Sequence, residues 1–445
     1  MTYSELQMSI ENVATPALVL HCPAHGSLGV IRSLGRLGIP VYAVHQTARV
    51  PALASRYCRG SFLWDAHAAP PKQTVEYLLE IGRTIGRRSI LIPTSTDDMA
   101  IFVAEHAAAL REWYIFPDQS PALARALASK KEMFHLVKKV GIPTAETLFP
   151  RSREEVCKFL KSATFPIMLK GIDGMLLYQK TGKKMVIVHD QQELLRSYDA
   201  MEDPQQPNLM LQEYIPGGDD TIWMFNGYFN ASSECLVGFT GKKLRQVPIH
   251  VGSTSLGICL ANPAVDKLTR EFMKAIGYKG TLDIGYRYDT RDGTYKVLDV
   301  NPRVGGTFRL FVGQNGLDVI RALYLDLTGQ RVPASGLREG RKWMVEDSDL
   351  GSSFRYYREG QLTLSEWLRS FRGVEEAAFF ASDDLRPFLR ACAQGVRLIS
   401  SRLFRAAQRL ASGQPVPGKA AGSGFDFPVT QRPVAMAPQT KVARS

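Results

Sequence analysis

The stretch 279–307, KGTLDIGYRYDTRDGTYKVLDVNPRVGGT, decides the fold. It holds two strand-like runs, 281–288 and 295–301, joined by Asp-Thr-Arg-Asp-Gly. Gly293 in that connection can take the positive φ that a tight reversal often needs, so the stretch predicts a β-hairpin. On the second strand, Asp299 and Asn301 point to the same face because strand side chains alternate.

The same hairpin predicts a metal site. If the reversal is centred near Arg291, Asp283 lies opposite Asp299 on the neighbouring strand. Two carboxylates and an amide oxygen are hard ligands of the kind that Mg²⁺ prefers. The alternative is a solvated hairpin with surface charges. We therefore predict Asp283, Asp299 and Asn301 as metal ligands, with the guanidinium of Arg303 beside them to bind an anion.

The order of these residues resembles a known family. Gly280-Thr-Leu-Asp, followed after the hairpin by Leu298-Asp-Val-Asn-Pro-Arg, is similar to the metal-binding end of the ATP-grasp superfamily of ATP-dependent carboxylate–amine ligases. Asp299 stands where that superfamily more often has Glu. The resemblance covers about residues 17–330, and runs such as 223–229 (WMFNGYF) look like a group of ATP-dependent carboligases within it. It implies ATP and one or two Mg²⁺ ions, with Mn²⁺ as an alternative, bound between two lobes.

Two lysines match the positions that contact nucleotide phosphates in this family. Lys130 has the expected spacing before Gly141-Ile-Pro, with Lys131 as the second choice. Lys170 ends an apolar strand, from which its charge can enter a cleft while the strand stays packed. The following flap, 171–182, carries fewer glycines than many relatives have, which predicts a looser cover assisted by Lys183 or Lys184.

The resemblance also assigns a hinge and further polar contacts. The strand around Gln212, Glu213, Tyr214 and Ile215 matches the hinge whose backbone binds adenine. Either Asp219 or Asp220 matches the acid that holds the ribose, and the sequence does not choose between them. The basic run 241–246 favours an anion site near the phosphates or an acidic substrate. Its members Lys242 and Arg245 join Arg303 as predicted catalytic residues.

The order of strands and helices predicts an α/β and α+β protein in several units. Residues 1–120 are expected to form a Rossmann-like domain of βαβ units. The resemblance implies an ATP-grasp domain at 121–335, with a smaller lobe at about 145–210 and a larger lobe at about 211–335. Gly26 and Gly29 give only GxxG, which is a weak dinucleotide signal. The cluster Thr94-Ser-Thr-Asp-Asp is a helix cap or the lip of a substrate pocket.

Charge and composition set further bounds. The 445-residue chain has a net charge of +12, but 385–445 carries ten Lys and Arg against one acid, so no nucleic-acid site is indicated in the body. Six scattered cysteines and no export signal fit the cytoplasm. We expect a C-terminal extension, 336–411, with a basic amphipathic helix at 385–410, and a disordered tail at 412–445. The helix can pack on its own protein, on a partner or on an anionic membrane.

The expected function is an ATP-dependent ligase that joins a small-molecule carboxylate to an amine. The resemblance implies that the carboxylate attacks the γ-phosphate to give an acyl phosphate, from which the amine displaces phosphate. Two alternatives use the same fold: a bicarbonate-dependent carboxylase or phosphotransferase, and a non-catalytic ATP-binding module acting through its basic tail.

Overall fold

A computed structural model describes residue 8, residues 10–183 and residues 185–411. The predicted disordered tail and Lys184 lie outside the described residues. Three sheets with flanking helices make up the structure, so the prediction of a mixed α/β and α+β fold is confirmed. No described helix is long and apolar enough to cross a membrane.

The N-terminal sheet is parallel, with the strand order β3-β2-β1-β4-β5. Its strands are β1 Ala17–Leu20, β2 Val41–His45, β3 Cys58–Leu63, β4 Ser89–Pro93 and β5 Tyr114–Ile115. Its helices are α1 His25–Gly35, α2 Pro71–Ile85, α3 Asp97–Glu105 and α4 Ala107–Leu110. The order reverses between β1 and β4, and the carboxyl ends of strands at such a point usually form a crevice.

A helix pair and a small antiparallel sheet follow. The helices are α5 Pro121–Ala128 and α6 Lys130–Lys139, and the Ser129 hydroxyl between them accepts a hydrogen bond from the Glu132 amide as an N-cap. The sheet order is β6-β9-β7-β8. Its elements are β6 Thr147–Leu148, α7 Arg153–Phe159, β7 Ile167–Gly171, α8 Gly174–Thr181, β8 Met185–Val188, α9 Gln191–Met201 and β9 Leu209–Glu213.

The largest sheet has seven strands in the order β14-β13-β10-β11-β12-β15-β16. Its strands are β10 Ile222–Phe229, β11 Cys235–Val247, β12 Ser253–Cys259, β13 Gly280–Asp289, β14 Thr294–Asn301, β15 Lys342–Met344 and β16 Val374–Ala377. The helices α10 Pro263–Ala275 and α11 Val319–Leu327 accompany it. One face packs on α10, with Phe225 and Phe272 in its core, while the other packs on the N-terminal domain through residues such as Met224 and Phe308.

The C-terminal extension belongs to this body. It supplies β15 and β16, together with α12 Glu346–Arg358, α13 Leu364–Ser370 and α14 Arg386–Ala411. Arg32 of α1 donates to the Asp384 carboxylate at 3.0 Å and to the backbone oxygens of Phe379 and Asp384. The segment before α14 is therefore fixed to the N-terminal domain by buried hydrogen bonds.

Two short segments near the proposed site have a distinct local structure. Phe308–Leu310 form a short 3-10 turn, and Phe308, Leu310 and Phe311 are buried in the core. The flap after Lys170, predicted to be a looser cover, contains the helix α8. The Asp173 carboxylate caps that helix by accepting from the amides of Met175 and Leu176.

Candidate active site

The edge of the large sheet carries a row of polar side chains, Asp283, Asp299 and Asn301, which we call the acidic row. Asp283 on β13 pairs directly with Asn301 on β14, so the expected pairing of Asp283 with Asp299 is wrong. The turn is centred between Arg291 and Asp292, and a bulge beside Gly285 shifts the register further. Directly paired residues and residues two apart on a strand share a face, so Asp283, Asp299 and Asn301 still lie on one side of the sheet.

Two glycines leave room for the carboxylates. A Cβ atom on Gly285 would lie 2.5 Å from Asp299 Oδ1, and one on Gly305 would lie 2.6 Å from Asp283 Oδ2. Each carboxylate therefore occupies space that any other residue would fill. This close approach of side chain to backbone is one reason that the acids can share such a confined place.

The acidic row contains two carboxylates, and the positive charges near them do not fully offset their effect. Burial raises the pKa of the Asp283 carboxyl to about 6, and the negative charge of Asp299 adds to this effect. The positive charges of Arg303 and Lys243 act in the opposite direction but do not cancel it. Asn301 Nδ2 donates to Asp299 Oδ2 at 3.0 Å. Further positive charge at this place would therefore be stabilised.

The donor set fits Mg²⁺. Among the described residues, no group of three or more His, Cys, Asp or Glu side chains is placed to hold a metal by itself. The row offers two carboxylates and one amide instead. Mg²⁺ commonly takes one or two protein carboxylates and completes its shell with water and nucleotide phosphates, so a sparse oxygen set suits it better than a closed protein cage would.

Arg303 links the row to the N-terminal domain. Its Nη2 donates to Asn301 Oδ1 at 3.0 Å, and its Nε lies 2.8 Å from Asp97 Oδ1. The second contact is an ion pair whose angle is not that of a hydrogen bond, since neither atom has a hydrogen-bond partner. Thr94, at the end of β4, forms a parallel bridge with Val304. The carboxyl end of the N-terminal sheet thus borders the acidic row.

This arrangement decides between the two interpretations of the cluster 94–98. Thr96 is the N-cap residue of α3, but its side chain makes no capping hydrogen bond. Asp97 instead contacts Arg303. The position beside the acidic row supports the pocket-lip interpretation, and it identifies Asp97 as a neighbour of Arg303 that sequence spacing did not predict.

The two predicted lysines lie across the cleft from the row. Lys130 Nζ donates to the Gly171 backbone oxygen at 2.9 Å, which places it beside β7 and Lys170. Burial lowers the pKa of Lys170 to about 8, with the positive charge of Lys130 as the next cause, while Asp299 acts in the opposite direction. Lys131, the second choice, instead lies 5.9 Å from the centre of the Phe149 ring.

A cavity of about 420 Å³ opens at Lys130. Besides that lysine it is lined by Ala128, Ser129 and residues 172–175 of the flap. It therefore lies between the start of α6 and the start of α8. The charge of Asp299 acts on Lys170, which relates the acidic row of the large sheet to the lysines beside this cavity, and the space between them is called the cleft.

The side chains of the hinge residues Gln212 and Glu213 form hydrogen bonds and ion pairs with other parts of the protein. Gln212 Nε2 donates to Thr147 Oγ1 at 2.9 Å, and the Glu213 amide donates to the Glu146 backbone oxygen at 2.8 Å. The Glu213 carboxylate also forms ion pairs with Arg291 and Lys296. These two side chains hold the hinge to its neighbours. An adenine contact would have to come from the backbone of this segment.

The next two hinge residues lie at the end of β9. Tyr214 is half-buried beneath the guanidinium of Arg287, whose carbon lies 5.9 Å from the ring centre, and Ile215 is buried. Asp219 accepts a hydrogen bond from the Tyr356 hydroxyl at 2.5 Å and lies 3.3 Å from His250 Nδ1. Asp220 is exposed. The structure therefore favours Asp220 as the acid available to a ligand.

The basic run contains one wrong assignment. Arg245 is buried, and its Nε and Nη2 both lie 2.8 Å from the Asp349 carboxylate, so it holds α12 to the sheet and cannot face an anion in the cleft. Irregular pairing of β11 on both sides of Arg245 turns its side chain towards α12. Lys242 Nζ donates to the Asp220 backbone oxygen at 2.7 Å. The missed member is Lys243, whose charge acts on Asp283.

The glycine turn after β1 has a packing role. A Cβ on Gly26 would lie 3.1 Å from the Cα of Gly306, and one on Gly29 would lie 2.9 Å from both Phe308 and Arg309. Close packing against these residues accounts for both glycines without a bound dinucleotide.

No family model matches the chain. D-aspartate ligase from Enterococcus faecium (strain Aus0004) is 25% identical over 246 residues, which are 53% of this chain and 58% of that protein. The chain thus spans little more than half of this relative.

Solved structures show the same fold. The biotin carboxylase domain of 2-oxoglutarate carboxylase from Hydrogenobacter thermophilus, solved with MgADP and bicarbonate, gives a TM-score of 0.54 at 17% identity and covers 73% of each chain. L-amino acid ligase from Bacillus licheniformis gives 0.53 at 15% identity, covering 71% of this chain and 75% of its own. In sequence and in fold, the chain is similar to enzymes of the ATP-grasp superfamily.

Proposed function

We propose that this protein is an ATP-dependent ligase that joins a small-molecule carboxylate to an amine. The observation that carries the proposal is the cleft itself. Asp283, Asp299 and Asn301 share one face of β13 and β14, and Lys130 and Lys170 lie across from them. The names of the relatives, D-aspartate ligase and L-amino acid ligase, support amino acids as the first substrates to test.

The roles follow from charge and position. Lys130 and Lys170 would bind the phosphates of ATP beneath the flap, and the hinge around Tyr214 and Ile215 would bind adenine. Asp283, Asp299 and Asn301 would hold Mg²⁺, which when bound neutralises charge on the phosphate oxygens. These residues keep the nucleotide in line with the incoming carboxylate and reduce the entropy lost in reaching the transition state.

Arg303 would hold the second anion. Its guanidinium is fixed between Asn301 and Asp97, at the boundary with the N-terminal domain. A carboxylate placed there attacks the γ-phosphorus, ADP leaves, and the acyl phosphate remains beside Arg303. The amine then attacks the carbonyl carbon, phosphate leaves with the bonding electrons, and the nitrogen loses a proton.

The test is ADP release across pairs of acids and amines, followed by the mass of the product. The ligase requires that release depend on both partners and that the product mass equal their sum less one water. Release that depends on bicarbonate, or on an acceptor hydroxyl, would instead support the carboxylase or phosphotransferase alternative. Nucleotide binding without release under the full screen would support a non-catalytic module.

The membrane contact predicted for 385–410 remains a proposal for one face of α14. The inner face packs on the protein, with Phe388 and Ala391 against the core and Gln394 donating to the Arg49 backbone oxygen. On the outer face Leu389 is 63% exposed and Val396 is 64% exposed, with exposed arginines nearby. An apolar strip with cationic neighbours suits an anionic bilayer.

Sedimentation with vesicles tests this contact. We expect the full chain to bind vesicles that contain an anionic lipid and not neutral ones, and Leu389→Asp with Val396→Asp to abolish the binding. Equal binding to both kinds of vesicle, or none to either, would contradict the proposal.

A further inference from the structure

Asn226 extends the acidic row by one strand. It lies on β10 and pairs directly with Asp283 of β13, which in turn pairs with Asn301 of β14. Direct partners on neighbouring strands share a face, so the three side chains form a line across the sheet. The Asn226 end of this line is completely buried, with 0% of the residue exposed.

The amide of Asn226 lacks its expected partners. Neither Oδ1 nor Nδ2 forms a hydrogen bond of ordinary geometry within the described part of the chain. Buried amides almost always have such partners, and leaving one without them costs about 1–3 kcal/mol. The next residues on the same face of β10 are Met224 and Tyr228, both in the hydrophobic core. Packing alone would favour an apolar residue at this position.

The neighbour that Asn226 does affect is Asp283. Asp283 is its direct cross-strand partner, so the amide lies beside the carboxylate although neither amide atom forms a hydrogen bond among the described residues. An amide N–H beside a metal-binding carboxylate can orient the oxygen that faces the metal. Orientation of the Asp283 carboxylate would explain why an amide without hydrogen-bond partners occurs at this buried position.

We propose that Asn226 is a positioning residue, whose Nδ2 donates to the Asp283 carboxylate when the Mg²⁺-nucleotide binds and so fixes that carboxylate. The inference rests on the metal site in the proposed function. It adds a residue from a third strand, which touches neither nucleotide nor substrate. It also predicts opposite effects on two properties: the Asn226 amide lowers the stability of the fold and improves metal binding.

The test uses Mn²⁺ as the probe, with free Mn²⁺ measured by electron paramagnetic resonance in the presence of ATP. In the full-length chain, Asn226→Leu should raise the Kd for Mn²⁺ by about 10- to 100-fold, the usual effect of losing such a partner. Its melting temperature should equal or exceed that of the wild type, because an unsatisfied polar group has been removed. Met224→Leu, on the same strand and face, is the matched control and should leave Mn²⁺ binding unchanged.

Each outcome decides between the proposals. Asn226→Leu with the Mn²⁺ affinity of the wild type would overturn the positioning role; if that variant does not fold, Asn226→Ala replaces it under the same criterion. Asp299→Asn separates this inference from the proposed function. Weakened Mn²⁺ binding in Asp299→Asn but not in the Asn226 variant would reject only the positioning role. Unchanged binding in Asp299→Asn would reject the metal site itself.

Discussion

Two groups of charges in this protein behave in opposite ways. One fixes the C-terminal extension to the body: Arg309 and Arg341 both lie 2.7 Å from the Glu376 carboxylate. The other is the acidic row of the cleft, where Asp283 and Asp299 share a face. In the first group, the Glu376 carboxylate contacts two arginines. In the second group, two carboxylates lie on one face of the sheet.

The pKa values reflect this difference. Burial alone would raise the pKa of Glu376, but Arg309 and Arg341 outweigh it and hold that pKa well below its usual range. In the cleft, burial and Asp299 raise the pKa of Asp283 to about 6, and burial lowers that of Lys170 to about 8. Ionised groups that compensate one another stabilise a fold. Uncompensated groups in a cleft are typical of a ligand site.

The largest expected effect comes from breaking the compensated group. Glu376→Gln leaves two buried arginines without their shared carboxylate, and removing one partner of a buried ion pair typically costs about 3–5 kcal/mol. We expect the free energy of unfolding in urea to fall by that amount, while the folded fraction keeps its affinity for ATP. A loss of ATP affinity in the folded fraction of Glu376→Gln would show that the two groups of charges are not independent.

The opposite pattern is expected for Arg303→Ala in the cleft. Removal of a preorganised charge from a site of this kind typically lowers the rate by about 10²–10³. ATP affinity and melting temperature should change little, since the arginine contacts neither lysine. Arg125→Ala, which removes an exposed ion pair with Glu105, is the control and should keep full activity. Unchanged turnover in Arg303→Ala would refute the assigned role.

A smaller effect should follow from Gly285→Ala. The added methyl group would meet Asp299 Oδ1 at 2.5 Å, and the flexible carboxylate can move away while the strand stays in place. We expect about a 10-fold higher Kd for Mn²⁺ in the presence of ATP, with little change in melting temperature. Gly395→Ala has open space around its Cβ and is the control. Similar Mn²⁺ affinity in both variants would mean that Asp299 does not bind the metal.

The smallest effect concerns acid stability of the C-terminal clamp. Burial would raise the pKa of Asp383, but hydrogen bonds from Arg36 lower it to about 2. Because the folded-state pKa lies below the unfolded one, the stabilisation is complete above about pH 4 and is lost as the pH falls towards 2. Asp383→Asn should therefore cost about 1 kcal/mol at pH 6 and progressively less as the pH falls through 2. A pH-independent difference between the two proteins would contradict this origin.

Sequence reasoning found the cleft because its residues lie on regular strands. Alternation alone places Asp299 and Asn301 on one face, and the apolar run before Lys170 marks a buried strand with a charged end. The pairing register of β13 and β14 could not be predicted, because the bulge near Gly285 depends on packing that no local sequence pattern encodes. The turn centre between Arg291 and Asp292 and this bulge each shift the register by one residue, so Asp283 pairs with Asn301 instead of Asp299.

Long-range partners explain the other errors. Arg245 and Lys243 are two apart in one basic run, and only the position of Asp349, 104 residues away, assigns the first to the fold. Asn226 had no signal of its own within an aromatic strand. It is recognisable only when the cross-strand partner and the missing hydrogen bonds are known.

The most direct test of the account is calorimetric titration of ATP into the wild type and Asp299→Asn, each with excess Mg²⁺ and with EDTA. We predict that Mg²⁺ tightens ATP binding to the wild type by at least about 10-fold, and that most of this gain is lost in Asp299→Asn. Equal affinity for ATP with Mg²⁺ and with EDTA in the wild type would contradict the central claim that the uncompensated acids hold a metal–nucleotide complex.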